Sequence, residues 1–159
     1  MIERFPFTPE GIEKVKKELS FLKAIDRPRI VDELETARAH GDLSENAEYH
    51  AAKEKLGHVM GRIEYLENVV SKAEIIDPKS MKGSAKVMFG AIVKLLDLDD
   101  DSQVTYQIVG ELESDVGKGK VSVKSPIARS LIGKFKEDTV IVKAPKGKKE
   151  YEIIEVIYE

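Results

Sequence analysis

Asp42 and Glu45 stand three residues apart in the stretch "AHGDLSENAEYHAAKE" (39–54), beside Gly41 and His40. Two carboxylates at this spacing have two uses. In the first, Asp42 is a helix N-cap and Glu45 its partner three residues on, a capping box with Asp in place of Ser or Thr, helped by the preference of helix N-termini for negative charge. In the second, the two share one divalent cation. Magnesium usually takes only one or two protein carboxylates, keeps several waters and completes its shell with phosphate oxygens. A pair of this kind holds metal weakly by itself. With a partner that supplies a further metal and a phosphodiester, it becomes half of a two-metal hydrolytic site.

The elements on either side must position the pair. From Tyr49 onward the apolar positions are Tyr49, Ala52, Leu56, Val59, Ile63, Leu66, Val70 and Ala73, spaced alternately by three and four, which is a coiled-coil seam. Upstream, Thr8 and Pro9 supply an N-cap and a first-turn proline, and Ile12, Val15, Leu19 and Leu22 repeat the same spacing. The pattern then shifts to Asp26, Ile30, Leu34 and Ala37, so Leu19 to Ile30 is an eleven-residue step that relaxes a left-handed supercoil. Pro28 lies inside this shift and predicts a kink or local break. Helices over 9–39 and 45–73 would each run roughly 45 Å at about 1.5 Å per residue. The short connection makes them an antiparallel hairpin with "HGDLS" at its tip. Capping a helix does not call for carboxylates carried so far out, and this placement favours the metal reading.

After "IIDPKSMKGS" the period changes. The runs "AIVKLLDL", "QVTYQIVG", "GKVSVK", "DTVIVKA" and "YEIIEVIYE" are rich in β-branched residues and are separated by "DDDS", "SDVGKG" and "PKGK". They predict antiparallel strands. Between them "SPIARSLIGK" offers Ser125 as N-cap, Pro126 at the first helical position and Gly133 as stop, a helix of about two turns. The expected fold class is therefore α+β, a helical hairpin over residues 1–76 followed by a small domain over 77–159. The acidic run Asp97, Asp99, Asp100 and Asp101 lacks the glycine and distal glutamate of an EF-hand loop and reads as a hairpin turn.

Composition excludes several classes of function. The 159 residues are 42% apolar and 35% charged, as in a folded protein with much charged surface. With no cysteine, neither a disulfide framework nor a thiolate zinc site can form. The opening "MIERFPFTPEG" lacks the basic-then-apolar pattern of an export signal, and no run of about 18 apolar residues occurs. A cytoplasmic protein with no membrane attachment is expected. Net charge is −3, with 12 basic against 15 acidic side chains before Asp77 and 14 against 14 from there on. Neither half has the positive footprint of an autonomous duplex binder, so any nucleic acid is expected to be presented by a partner.

The segment "ARAHGDLSENAEYHAAKE", together with "SPIARSLIGK", resembles the bacterial Gre transcript cleavage factors, most closely the GreA type, and the resemblance spans essentially the whole chain. It implies an N-terminal coiled-coil hairpin and a C-terminal domain similar to the FK506-binding proteins, with a twisted antiparallel sheet and one short helix. It further implies that the C-terminal domain docks on bacterial RNA polymerase at the rim of the secondary channel while the hairpin enters it. Asp42 and Glu45 match the acidic pair that helps hold the second Mg2+ and position the attacking water, so that backtracked nascent RNA is cleaved. Such a factor is a transcription elongation factor, not an enzyme in its own right, and a monomer is expected. Arg38 and Lys53 match basic positions facing the RNA, though a solvated helix face explains them equally well. Ser125, Pro126, Ile127 and Arg129 fall where the family contacts polymerase. Asn46 and Tyr49 belong to the motif, but Tyr49 begins the seam and packing accounts for it. His40 reads as a polar tip residue.

Two other functions compete. A Gre-like inhibitor would occupy the same channel without stimulating cleavage, and the presence of both Asp42 and Glu45 argues for cleavage. A peptidyl-prolyl isomerase or chaperone is suggested by the implied C-terminal fold alone, and fold does not fix function. An isomerase pocket needs an aromatic lining that Phe89, Phe135, Tyr106, Tyr151 and Tyr158, with no tryptophan, barely supply.

Overall fold

The structure is a computed structural model that describes residues 3–42 and 44–159. The chain divides into two compact units, one of residues 1–4 and 12–73, the other of residues 5–11 and 74–159. Sequence reasoning places a single boundary at Asp77. Here the division falls at Ala73–Glu74, and the short segment Phe5–Gly11 groups with the C-terminal unit.

The helical unit contains α1 (Pro9–Phe21), most of which lies in it, α2 (Arg27–Ala39) and α3 (Ala47–Ser71). Between α1 and α2 the chain makes one wide helical turn, Leu22–Asp26, in which the Arg27 N–H reaches back five residues to the Leu22 carbonyl. This turn explains the shifted pattern. Leu22 and Ile30 are eight residues apart, one more than a heptad, yet both are buried, because the extra residue is taken up locally and not by relaxation of the supercoil. Nor does Pro28 break the helix. It occupies the first turn of α2, where its missing N–H and fixed φ are tolerated.

The seam buries Ile12, Val15, Leu22, Ile30 and Ala37 from the first arm and Ala52, Ile63, Leu66 and Val69 from the second. Val69 is fully buried where the heptad pattern points to Val70. Ion pairs link the two arms: Arg62 to Glu18 at 3.0 Å, Lys23 to Glu67 at 3.2 Å and Lys55 to Glu33 at 3.5 Å. Each is exposed and contributes about 0–1 kcal/mol. Among the described residues no helix is long and apolar enough to cross a membrane.

In the C-terminal unit a five-stranded sheet runs in the order β5-β4-β3-β7-β6, formed by β3 (Ile92–Asp97), β4 (Gln103–Val109), β5 (Lys120–Ser122), β6 (Thr139–Ala144) and β7 (Gly147–Ile157). The pairs β3–β4, β3–β7 and β6–β7 are antiparallel, with a bulge opposite Lys94–Leu95, whereas β5 lies parallel to β4. That parallel pairing departs from the expected hairpins. The "ELESDVGKG" segment between them makes two 3-10 turns, Glu111–Glu113 and Val116–Lys118, before β5 begins. Strand alternation aims Val93, Leu95, Ile108, Val140, Val142 and Ile153 into one core, which α4 (Pro126–Leu131) covers with Ala128 and Leu131. Leu131 is fully buried, and its replacement by Ala would cost about 2–5 kcal/mol.

The sequence pattern does not reveal the contribution of the N-terminal segment to this unit. β1 (Phe5–Phe7) pairs with β2 (Ala73–Ile75), and Phe7 is 1% exposed. Thr8 caps α1 as expected, its Oγ1 accepting the Gly11 N–H at 3.1 Å. Glu113 then accepts from the Thr8 N–H at 2.7 Å and from its hydroxyl at 3.0 Å. A methyl group on Gly11 would lie 1.7 Å from Glu113 Oε1, and one on Gly110 would lie 2.3 Å from the Pro6 carbonyl oxygen. Only glycine permits these approaches.

Candidate functional site

The tip of the hairpin is built from the ends of α2 and α3. α2 stops at Ala39, the His40 N–H bonding the Ala37 carbonyl at 3.1 Å, and Gly41 follows with φ of +126°, a conformation open chiefly to glycine. α3 begins at Ala47, not at Glu45, and its N-cap is Asn46, whose side chain accepts the Tyr49 N–H at 3.0 Å. The capping-box reading of Asp42 and Glu45 is therefore incorrect: Asp42 lies too far ahead of the helix to cap it. Its Oδ1 accepts from the Ser44 N–H at 3.0 Å and from the Ser44 hydroxyl at 2.9 Å, a local turn of the kind short acidic side chains form.

These bonds set the electrostatics of the site. The Ser44 backbone N–H, and after it the Ser44 hydroxyl, hold the Asp42 carboxyl below its ordinary pKa, so it is ionised at neutral pH. Among the described residues both bonds go to Oδ1. Asp42 and Glu45 are exposed, and with His40, Asn46, Ala47 and Glu48 they line one shallow open depression. Among the described residues, no group of three His, Asp or Glu side chains is arranged to hold a metal ion. Hard oxygen donors of this kind suit Mg2+, and the tip supplies fewer of them than a complete coordination shell.

The other candidates are distributed over both units. Arg38 lies in the last turn of α2 and Lys53 in the second turn of α3; both are exposed, and neither lies within 4 Å of a carboxylate among the described residues. Ser125 caps α4, accepting the Ala128 N–H at 3.3 Å and donating to the Ser122 carbonyl at 2.6 Å. Its hydroxyl is thus used within the chain. Pro126 and Arg129 are exposed and Ile127 is half-buried. The acidic run forms the β3–β4 turn as expected, with Asp101 at φ of +60°. Asp97 is buried there, accepting from the Asp99 N–H at 2.9 Å and from Lys149 Nζ at 3.0 Å.

Two structural roles were not read from the sequence, the cap made by Asn46 and the bridge made by Glu113. Asn46 carried a readable signal, since asparagine immediately before a periodic apolar run is a preferred N-cap. Glu113 carried none, because its partner Thr8 is 105 residues away.

With the site described, its likeness to known proteins becomes informative. The family model described as "Transcription elongation factor, N-terminal" matches residues 5–75, and that described as "Transcription elongation factor, GreA/GreB, C-term" matches residues 82–158. Transcription elongation factor GreA of Anaeromyxobacter sp. (strain K) is 54% identical over 157 residues, covering 99% of this chain and 94% of that protein. The protein of the same name from Alkalilimnicola ehrlichii is 53% identical over 157 residues, covering 99% of each. Among solved structures, GreA factor homolog 1 (Gfh1) of Thermus thermophilus is similar at 23% identity and a TM-score of 0.45, covering 97% of this chain and 99% of that one. The family matches span both units, the acidic tip included, and the chain belongs to the GreA/GreB family of transcription elongation factors.

Proposed function

We propose that this transcription elongation factor binds bacterial RNA polymerase at its secondary channel and lends Asp42 and Glu45 to the polymerase's own RNA-cleaving site, rescuing backtracked complexes. One arrangement supports the reading: Asp42 is ionised and exposed, its side-chain bonds among the described residues both go to Ser44 through Oδ1, and Glu45 lines the same open depression. Bound jointly by these two side chains and the polymerase, Mg2+ would activate water and neutralise charge on the scissile phosphodiester. Asp42 and Glu45 would orient that water and accept its hydrogen bonds. The chain is an accessory factor in this reading, acting in the bacterial cytoplasm as a monomer and cutting nothing by itself.

Arg38 and Lys53, on the helix turns flanking the tip, are assigned to the RNA phosphates. Ser125, Pro126, Ile127 and Arg129 are assigned to docking on polymerase, with Pro126 and Arg129 the exposed members of that set. The balanced charge of the C-terminal half fits protein docking better than autonomous nucleic-acid binding.

The test is to add purified protein to stalled, backtracked polymerase complexes with Mg2+ and follow end-labelled RNA. Cleavage should accelerate in the complex, and free RNA should stay intact with the protein alone. Metal-dependent cutting of free RNA, or no acceleration in the complex, would contradict the proposal.

A further inference from the structure

Asn46 does more than cap a helix. Its Oδ1 accepts the Tyr49 N–H at 3.0 Å, while its Nδ2 donates to the Ala37 carbonyl at 2.6 Å, nine residues back on the other arm. The Tyr49 N–H is one of the donors at the start of α3 that have no partner within the helix, and the Ala37 carbonyl at the end of α2 accepts both the His40 N–H at 3.1 Å and the Asn46 amide. A single side-chain amide therefore joins the two helix ends, and the loop it closes carries His40, Asp42 and Glu45.

Chemistry restricts what can take this place. The Ala37 carbonyl only accepts and the Tyr49 N–H only donates, so the joining group must be acceptor and donor at once, through two atoms on opposite sides of one carbon. Asparagine meets this requirement. Aspartate offers the acceptor but sets its second oxygen against a carbonyl oxygen, and serine lacks the second atom. One N–H and one oxygen lone pair of Asn46 are thus engaged inside the tip, which fixes the side chain between the two helix ends.

From this geometry we infer that Asn46 is a positioning residue: by holding the ends of α2 and α3 together it sets the separation and direction of Asp42 and Glu45 for the polymerase site. The inference rests on the function proposed above. A residue that only capped α3 would tolerate any good cap, whereas a positioning residue would not.

The test uses the full chain with Asn46→Asp and Asn46→Ser. Aspartate caps a helix about as well as asparagine and its charge suits a helix N-terminus, so Asn46→Asp should match the parent in helical circular dichroism. Serine keeps a neutral cap and controls for the added charge. In the free protein, backbone NMR order parameters of Gly41, Asp42, Ser44 and Glu45 should fall below about 0.6 in both variants, while residues 50–70 stay near about 0.85. In stalled complexes at saturating protein, single-turnover cleavage should fall about tenfold or more, and the Mg2+ concentration for half-maximal cleavage should rise severalfold. The protein concentration giving half-saturation should not move. If both variants keep the parent's order parameters and cleave within twofold of it, the inference is wrong. Asp42→Asn run alongside separates the two levels. If Asp42→Asn is inactive and the Asn46 variants are fully active, only the role of Asn46 fails. If Asp42→Asn cleaves at the parental rate, the acidic-tip function fails and the role of Asn46 falls with it.

Discussion

Two loops of this chain carry an aspartate that accepts from the backbone N–H two residues on, and they use it in opposite ways. In the β3–β4 turn, Asp97 is 3% exposed and its oxygens are divided between the Asp99 N–H and the Lys149 ammonium. In the hairpin tip, Asp42 is exposed and both of its bonds go to Ser44 through one oxygen. Each carboxyl is held below its ordinary pKa, Asp97 by the Asp99 N–H and then Lys149, Asp42 by the Ser44 N–H and then its hydroxyl. A depressed pKa thus does not distinguish the two carboxylates. The placement of their bonds does: both oxygens of Asp97 accept from the fold, whereas the bonds of Asp42 among the described residues reach Oδ1 alone.

The largest effect expected from this contrast is at the tip. Glu45→Gln should lower polymerase-dependent cleavage about 100-fold or more, near 2.7 kcal/mol of barrier, and leave the melting curve unchanged. A gel assay on labelled RNA and a calorimetric scan of the same preparation check both halves. A stability loss with normal cleavage would place Glu45 with Asp97.

A smaller effect is expected in the sheet. Because the folded-state pKa of Asp97 lies below its unfolded value, its stabilising contribution is present above about pH 4 and is lost as pH falls through the depressed value. Lys149, raised by the hydrogen bond to Asp97 and the charge beside it, contributes below about pH 10 and loses that contribution as pH rises through its raised value. Asp97→Asn keeps an acceptor for the Asp99 N–H and loses the charge facing Lys149. It should melt several degrees below the parent at neutral pH, and the two melting curves should converge in acid. Parallel curves at all pH values would mean that the Asp97 charge is not what matters.

The opposite sign is expected at Glu113, whose pKa is raised by burial despite the bonds from Thr8. Its contribution is fully present below about pH 4.3 and is lost as pH rises through the raised value. Glu113→Gln should therefore remove a modest gain in stability on acidification, measured by urea denaturation between pH 7 and pH 4. A steeper acid-side gain in the variant would contradict the assignment.

The smallest effect is expected where the wide turn absorbs one residue. Deleting Ile25, which is 56% exposed, leaves seven positions from Leu22 to Ile30 and restores an unbroken heptad seam. The variant should keep the helical signal and melting point of the parent or exceed them. A clear loss would mean that the wide turn is itself a stabilising feature.

The residues that were legible in the sequence are those whose partners are close along the chain. The seam of α3, the Thr8 and Ser125 caps, the helix over "SPIARSL" and the acidic β3–β4 turn all depend on spacings within a few residues. The acidic pair was legible as a pair, but its local structure was misread, because Asn46 outcompetes Asp42 for the cap by standing directly before Ala47. What stayed hidden depends on distant partners: Pro6 and Thr8 meeting Gly110 and Glu113, β5 lying parallel to β4, and Lys149 reaching Asp97 from 52 residues away. The eleven-residue step was visible, but the single wide turn at Leu22–Asp26 that absorbs it was not.

The most direct test of the account makes one chemical change at both loops. Asp42→Asn and Asp97→Asn each replace a carboxylate by an amide that still accepts from a backbone N–H. Both should be assayed for single-turnover RNA cleavage in backtracked complexes at saturating protein, at a temperature where each is folded. Asp42→Asn should melt like the parent and cleave at least about 100-fold more slowly, and Asp97→Asn should melt lower and cleave at the parental rate. If Asp42→Asn melts like the parent, occupies polymerase like it and cleaves within about threefold of it, the tip carboxylates do not complete the polymerase site.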